Sequence, residues 1–200
     1  DRPCPVVFVS HGTGGSLLGH ADLAIALARA GHVVVALEHL GDNYRDRSLV
    51  GHPAYAQERA AQLGAVVRAV LDEPSAHPWL AGLTIDPNRV AVFGHSAGGA
   101  SAAALAGARL DTTRLRQHCE APAVDDPMCR YRDPRRGVAP GLGGAPYDLA
   151  PDAPMPVRLH DPRVGAVVLA APLTVPLAPE SLRALPGRWQ VWVPANDALD

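Results

Sequence analysis

Residues 94–98 read Gly-His-Ser-Ala-Gly and place Ser96 between two glycines, each two positions away. A short apolar run at residues 89–93 precedes this segment, and small residues at helical spacing follow it over residues 97–110. A serine in a tight turn between a strand and a helix is held at a strained backbone angle that flanking glycines accommodate. Its hydroxyl then projects above the sheet, at the positive end of the helix. The pattern therefore predicts that Ser96 is a nucleophile.

Apolar runs and amphipathic segments alternate along the chain. Buried strands are predicted at residues 5–10, 33–37, 89–93, Val164–Ala170 and 190–193. Helices are predicted at residues 17–30, in a segment opened by Pro53 whose apolar face excludes Arg59, and at residues 97–110. Such alternation favours an α/β fold, a mostly parallel sheet with helices on both faces. The 200 residues, of which 48% are hydrophobic, suffice for one such domain.

Charge and composition argue against several classes of function. A net charge of −2 and the lack of a long basic run give no basis for binding nucleic acid. All 18 basic residues are arginine, which excludes a Schiff-base lysine and a P-loop lysine. The apolar runs are too short for a transmembrane segment. No C-x2-C or H-x3-H spacing occurs near the cysteines, and we expect neither a metal nor a cofactor.

Periodicity disappears between about residues 111 and 161, where Pro, Gly and charged residues dominate. We expect this segment to be a cap or lid inserted over the sheet edge where Ser96 points, the alternative being a disordered linker. Cys119 and Cys129 fall in it and are predicted to form a disulfide, with two free thiols as the alternative. A disulfide would indicate a periplasmic or secreted protein, and its absence a cytoplasmic one.

A serine nucleophile requires a base and a pair of donors for the oxyanion of the tetrahedral intermediate. In a turn of this kind, one donor is the backbone N–H of the residue after the serine, which is Ala97. The second comes from a loop after an early strand, and residues 11–15, His-Gly-Thr-Gly-Gly, form such a loop. We predict that the Thr13 N–H is this donor, with Gly12 and Gly14 as near alternatives. The same residues could also be a simple glycine turn.

These features together resemble a known family, the predicted dienelactone hydrolases, which are α/β-hydrolases related to the platelet-activating-factor acetylhydrolases. The resemblance rests on His11-Gly12, Glu38-His39, residues 43–47, residues 94–98 and the two cap cysteines. It implies an α/β-hydrolase fold and a hydrolase that cleaves small carboxylic esters or lactones with Ser, Asp and His in that chain order. True dienelactone hydrolases have a cysteine nucleophile, so Ser96 favours a serine esterase.

The resemblance also suggests where the rest of a triad would lie. In such hydrolases the acid follows a late strand, which assigns it to Asp197, with Asp200 as the runner-up and ordinary turn aspartates as the alternative. The family places the histidine after one further strand, and no histidine follows Asp197 in the 200 residues. We therefore expect the base, and the C-terminal part of the fold, to lie beyond Asp200. The 200-residue segment alone should then be nearly inactive.

Two other functions are compatible with the same scaffold. An acyltransferase or a peptidase would use the same nucleophile, because the fold does not determine the acceptor. A non-catalytic binding domain would retain the turn without a complete triad. Four arginines of the cap fit a solvated basic loop better than a site for an acidic substrate; they are Arg130, Arg132, Arg135 and Arg136. The sequence carries no signal of oligomeric state.

Overall fold

The computed structural model describes residues 2–52, 54–121 and 159–196. Its strands are β1 (Cys4–Ser10), β2 (Val33–Ala36), β3 (Ile85–His95), β4 (Val164–Ala170) and β5 (Arg188–Trp192). Its α-helices are α1 (Ala21–Arg29), α2 (Tyr55–Asp72), α3 (Ala97–Leu105), α4 (Thr112–Glu120) and α5 (Pro179–Leu182). Within the described ranges the strands form one sheet in the order β2-β1-β3-β4-β5, with every neighbouring pair parallel.

The strand order creates a crevice at one edge of the sheet. The chain passes from β1 to β2 on one side and then returns to place β3 on the other side of β1. Ligands of open parallel sheets bind outside the carboxyl ends of the strands at such a switch point. Here those ends are Ser10 of β1 and His95 of β3, and Ser10 pairs in register with Gly94. The loop at residues 11–15 and the turn at Ser96 therefore flank the crevice.

Helices α2 and α3 pack against one face of the sheet, and the start of α1 lies at the other. Alternate strand residues such as Phe8 and Val92 pack against Leu63 of α2 and Leu105 of α3 in the largest core cluster. Val92 and Phe93 are neighbours in β3 and thus face opposite sides of the sheet. The Phe93 ring contacts His20, at the start of α1, with 5.1 Å between ring centroids. The predicted α/β class with a parallel sheet is confirmed.

Two helix boundaries differ from the prediction for local reasons. Helix α1 begins at Ala21 and not at residue 17, because the preceding residues form turns closed by the hydrogen bond from the Ala21 N–H to the Leu18 carbonyl. Helix α3 ends at Leu105 and not at residue 110. Gly107 has φ of 113°, and the Ala108 N–H returns to the Ala103 carbonyl. This paired arrangement is the Schellman motif that ends many helices.

The segment predicted as a cap is described only in part. Its first residues form α4, where the sequence shows no periodicity, and the Asp111 carboxylate caps this helix by accepting from the Thr113 N–H. Residues 122–158 lie outside the described residues, as do Pro53, Cys129 and the Cys119 side chain, so the disulfide stays a prediction. Over the described ranges, none of the helices combines the length and apolar character needed to cross a membrane. Nor do His, Cys, Asp and Glu side chains cluster there as metal ligands.

Candidate active site

Ser96 occupies the turn between β3 and α3 with φ of 53° and ψ of −119°. Positive φ is unfavourable for any residue with a Cβ, and such strain persists only where surrounding contacts enforce it. Here the Ser96 N–H donates to the Ala170 carbonyl at 3.0 Å, and the Ser96 carbonyl accepts from Gly99 and Leu173 at 2.8 and 2.9 Å. The backbone of the serine is therefore held on both sides, as in a nucleophile elbow.

The two glycines of the motif are needed because backbone segments approach them closely. A Cβ on Gly94 would collide with the Gly98 carbonyl, and a Cβ on Gly98 would collide with the Ser10 carbonyl at the end of β1. Gly99 packs in the same way against Pro172, which is 2.7 Å from the position of its absent Cβ. Helix α3 can thus begin directly against the sheet at Ala97, the residue after Ser96.

The loop at residues 11–15 passes directly beside this turn. A Cβ added to Gly12 would lie 3.0 Å from the Ser96 Cβ and 3.1 Å from His95 Nδ1. The structure therefore brings together the two segments from which the sequence predicts the nucleophile and both oxyanion donors. Ser96, Ala97 and Thr13 are all among the described residues.

The N–H groups of the loop differ in their availability. The Gly14 N–H donates to Asp42 Oδ1 at 2.7 Å, and the Gly15 N–H donates to the Gly12 carbonyl at 3.0 Å. Within the described residues no acceptor is recorded for the Thr13 N–H. Of the donors considered from the sequence, Gly14 is thus already engaged, whereas the Thr13 and Gly12 N–H groups both lack an acceptor among the described residues.

A buried ion pair hydrogen-bonds to the backbone of the loop at residues 11–15. The carboxylate of Asp42 pairs with the guanidinium of Arg59, and both side chains have zero exposure. Asp42 also accepts from the Tyr55 hydroxyl at 2.7 Å, and that hydroxyl accepts from Thr13 Oγ1 at 2.6 Å. Arg59 makes a second hydrogen bond to the His11 carbonyl. Burial raises the pKa of Tyr55 well above its ordinary value, so its hydroxyl remains a donor.

This network was not predicted from the sequence, and the placement of Arg59 outside the buried face of α2 was wrong. Tyr55 and Arg59 are four residues apart and share one helix face. That face reaches the polar end of the sheet, where Asp42 follows β2. The available signal was an acidic residue in the loop after β2, although its partner lies 17 residues further along the chain.

His11 and His39 are structural residues that stay neutral. His11 Nδ1 donates to the Gly12 carbonyl at 2.7 Å, and His11 Nε2 accepts from the His39 N–H at 3.2 Å. Burial lowers the pKa of His11, and burial together with the Arg59 charge lowers the pKa of His39 to about 2. Both histidines therefore hold the backbone around the loop and do not act as bases.

Ser10 and His39 form a buried Ser-His pair. Ser10 Oγ is 2.8 Å from His39 Nε2, and His39 Nδ1 is 3.0 Å from Gln62 Oε1. Gln62 Oε1 also accepts from the Leu40 N–H, so it acts as the acceptor and His39 Nδ1 carries the proton. Ser10 and His39 are both fully buried. Their arrangement resembles a catalytic dyad but has no access for a substrate.

The buried neutral His39 predicts a loss of stability in acid. The unfolded chain binds a proton near the ordinary histidine pKa of 6.5, whereas folded His39 does so only near pH 2. Its stabilising contribution is therefore complete above pH 6.5 and is lost as pH falls, at up to about 1.4 kcal/mol per pH unit. We expect His39→Gln to give a shallower dependence between pH 6.5 and pH 4, measured by urea unfolding. Equal slopes for the two proteins would contradict this assignment.

None of the nine histidines forms a hydrogen bond with Ser96 Oγ, and all nine are among the described residues. His95 Nδ1 would lie 3.1 Å from a Cβ added to Gly12, and the His95 and His20 rings contact each other with 5.2 Å between centroids. Burial and the neighbouring His95 lower the pKa of His20. His160 lies beside Gly107, past the far end of α3 and thus about 15 Å along the helix from Ser96. The structure places no base at the serine within these residues.

The carboxyl ends of β4 and β5 lie at the same sheet edge as Ser96. The Ser96 N–H binds the Ala170 carbonyl, and the Ala171 N–H binds the Trp192 carbonyl at 2.7 Å. Ala171 has φ of 42°, and Ser96 and Ala171 are the two non-glycine residues with positive φ in the described chain. They are close in space, because the Ser96 N–H binds the carbonyl of Ala170, the residue before Ala171. Asp197 and Asp200 lie outside the described residues. Strand β5 itself ends at this edge, where its Trp192 carbonyl binds the Ala171 N–H.

The parallel sheet, its switch point and the strained serine turn define an α/β fold with the elbow geometry of α/β-hydrolases. No protein-family model matches the chain, and no curated protein matches it. Among solved structures, the chain is similar to a ferulic acid esterase from Streptomyces cinnamoneus, with 19% identity and a TM-score of 0.45. That match covers 95% of this chain and 50% of the esterase, so the chain spans half the length of that protein.

A second similar structure is an acetyl ester-xyloside bifunctional hydrolase from Caldicellulosiruptor lactoaceticus. It has 17% identity and a TM-score of 0.45, and the match covers 100% of this chain and 76% of that one. Similarity at this level does not define the activity of this chain. The proposal for function therefore rests on the site itself.

Proposed function

We propose that this chain carries the nucleophile and the oxyanion hole of a serine hydrolase that cleaves carboxylic esters or lactones. The single observation that carries the proposal is the strained backbone of Ser96, at φ of 53°, with the Gly12 backbone against its side chain. Backbone strain of this kind is concentrated at functional sites. Packing alone does not require a serine in the turn between β3 and α3. The neighbouring Thr13 and Ala97 N–H groups would bind the oxyanion that forms when the serine attacks a carbonyl carbon.

In the proposed reaction, Ser96 Oγ attacks the ester carbonyl carbon while a histidine removes its proton. The carbonyl oxygen becomes an oxyanion, which accepts hydrogen bonds from the Thr13 and Ala97 N–H groups. Expulsion of the alcohol, protonated by the histidine, leaves an acyl group on Ser96. Water then attacks this acyl-enzyme by the same route and releases the acid.

We place the acid of the triad at Asp197 and the histidine in sequence beyond Asp200. The end of β5 at the same edge as Ser96 supports Asp197. The absence of a hydrogen bond between Ser96 Oγ and any of the nine histidines, all of them described, supports a base from elsewhere. We retain a periplasmic or secreted location with a Cys119–Cys129 disulfide as part of the proposal.

A fluorophosphonate probe tests the nucleophile directly in the full-length protein. We expect one equivalent of label on the peptide that contains Ser96, together with hydrolysis of p-nitrophenyl acetate that the label abolishes. The peptide that contains Ser10 is the internal control, since Ser10 is bonded to His39 but fully buried. Label on Ser10, or no label and no hydrolysis, would overturn the proposal.

A further inference from the structure

We propose that Arg59, Asp42 and His11 are positioning residues that orient the oxyanion donor of the loop at residues 11–15. Each holds a different peptide plane of the loop, and none of them lies where it must touch the substrate. The inference rests on the proposed function, because it assigns these residues a role in the same reaction.

The geometry follows from the planar trans peptide, in which the C=O of one residue and the N–H of the next point in opposite directions. Arg59 donates to the His11 carbonyl and so orients the Gly12 N–H. His11 Nδ1 and the Gly15 N–H both donate to the Gly12 carbonyl, at 2.7 and 3.0 Å, and so orient the Thr13 N–H. Both contacts to the Gly12 carbonyl lie opposite the N–H that we assign to the oxyanion.

The third peptide plane is held by the acidic partner. Asp42 Oδ1 accepts from the Gly14 N–H at 2.7 Å, which orients the Thr13 carbonyl. The other oxygen of Asp42 binds Arg59 and the Tyr55 hydroxyl. Three consecutive peptides, from His11 to Gly14, are thus each bound by a side chain, and the Thr13 N–H lies between them without a recorded acceptor among the described residues.

Stability alone does not account for a fully buried arginine at this position. Buried ion pairs can often be replaced by apolar residues without loss of stability, because desolvation offsets their attraction. Arg59 Nε has no hydrogen-bond partner within the described residues, which adds to the cost of burial. The Arg59 guanidinium does, however, bridge Asp42 and the His11 carbonyl, which a forked donor can reach together and a lysine cannot.

The test compares Arg59→Lys with Arg68→Lys, a matched exposed arginine on the same helix, in the full-length protein. We expect kcat for p-nitrophenyl acetate, counted per site titrated by the fluorophosphonate, to fall about 100-fold in Arg59→Lys. KM should stay within about threefold, because Arg59 does not contact the substrate. Tyr55→Phe, which leaves the ion pair intact, should lower kcat by about threefold to tenfold.

Amide NMR of residues 12–14 supplies a readout that does not depend on activity. We expect lower order parameters for these amides in Arg59→Lys than in the wild type and in Arg68→Lys. An active wild type whose Arg59→Lys variant keeps its kcat per titrated site, or keeps its loop order, would overturn the inference. If Arg59→Lys does not fold, an unchanged kcat per titrated site in His11→Phe, which removes the Nδ1 donor to the Gly12 carbonyl, would overturn it instead. If the wild type is inactive and unlabelled, the proposed function is overturned. If the loop amides are nevertheless less ordered in Arg59→Lys, the conclusion that Arg59 orders the loop still holds.

Discussion

Replacement of Ser96 by glycine is expected to abolish hydrolysis and at the same time to stabilise the fold. The hydroxyl is the proposed nucleophile, so kcat/KM should fall by at least about 10⁴-fold, leaving the residual catalysis of the oxyanion hole. Ser96 has φ of 53° and ψ of −119°, a conformation that glycine adopts without a Cβ penalty. Relief of this strain outweighs the greater entropy of an unfolded glycine, and we expect a net gain of about 1 kcal/mol.

The comparison with Ser96→Ala separates the two effects. Alanine removes the hydroxyl but retains the Cβ, so activity should be lost equally while stability stays within about 0.5 kcal/mol of the wild type. Thermal unfolding should show Ser96→Gly about 2–4 °C above Ser96→Ala. Ser75→Ala, an exposed serine far from the site, is the control that should change neither property. A glycine variant no more stable than the alanine variant would refute the strain. A kcat/KM in either variant that falls less than about 100-fold would refute the nucleophile.

The parts of the site that could be predicted are those encoded in local sequence. The turn at Ser96 needs only glycines at fixed spacing between a strand and a helix, and all of these are contiguous along the chain. Successive parallel strands bring their carboxyl ends to one sheet edge, so the loop after β1 was expected beside the turn after β3. The contact between Gly12 and Ser96 agrees with that expectation.

The Asp42–Arg59 pair could not be predicted in the same way. Its members belong to a loop and a helix 17 residues apart, and the side chains meet only because α2 crosses below the oxyanion loop. An amphipathic pattern assigns a charged residue to the solvent side by default, which is why Arg59 was misplaced. The helix ends are a different case, since Asp111 and Gly107 are ordinary cap signals that were present in the sequence.

Replacement of Gly98 by alanine is expected to produce the largest loss of stability among single changes at the site. The added Cβ would meet the Ser10 and His11 carbonyl oxygens, which belong to the backbone of β1 and of the oxyanion loop. Side-chain rotation cannot relieve a collision with backbone, so the turn or the loop must move. We expect a loss of about 3 kcal/mol or more, and a fall in kcat of at least about 100-fold from the displaced donors.

Gly165→Ala is the matched control for this prediction, because the same change is made at a glycine of β4 where an added Cβ would make only ordinary van der Waals contact. Its absent Cβ would lie 3.9 Å from the nearest heavy atom, the Val90 carbonyl oxygen. A strand glycine replaced by alanine should gain about 0.5 kcal/mol, since the unfolded chain loses freedom. Urea unfolding and ester hydrolysis are measured on both variants, and only Gly98→Ala should lose stability and activity. If Gly98→Ala matched Gly165→Ala in both measurements, the close approach of α3 to β1 that places Ser96 beside the loop would be disproved.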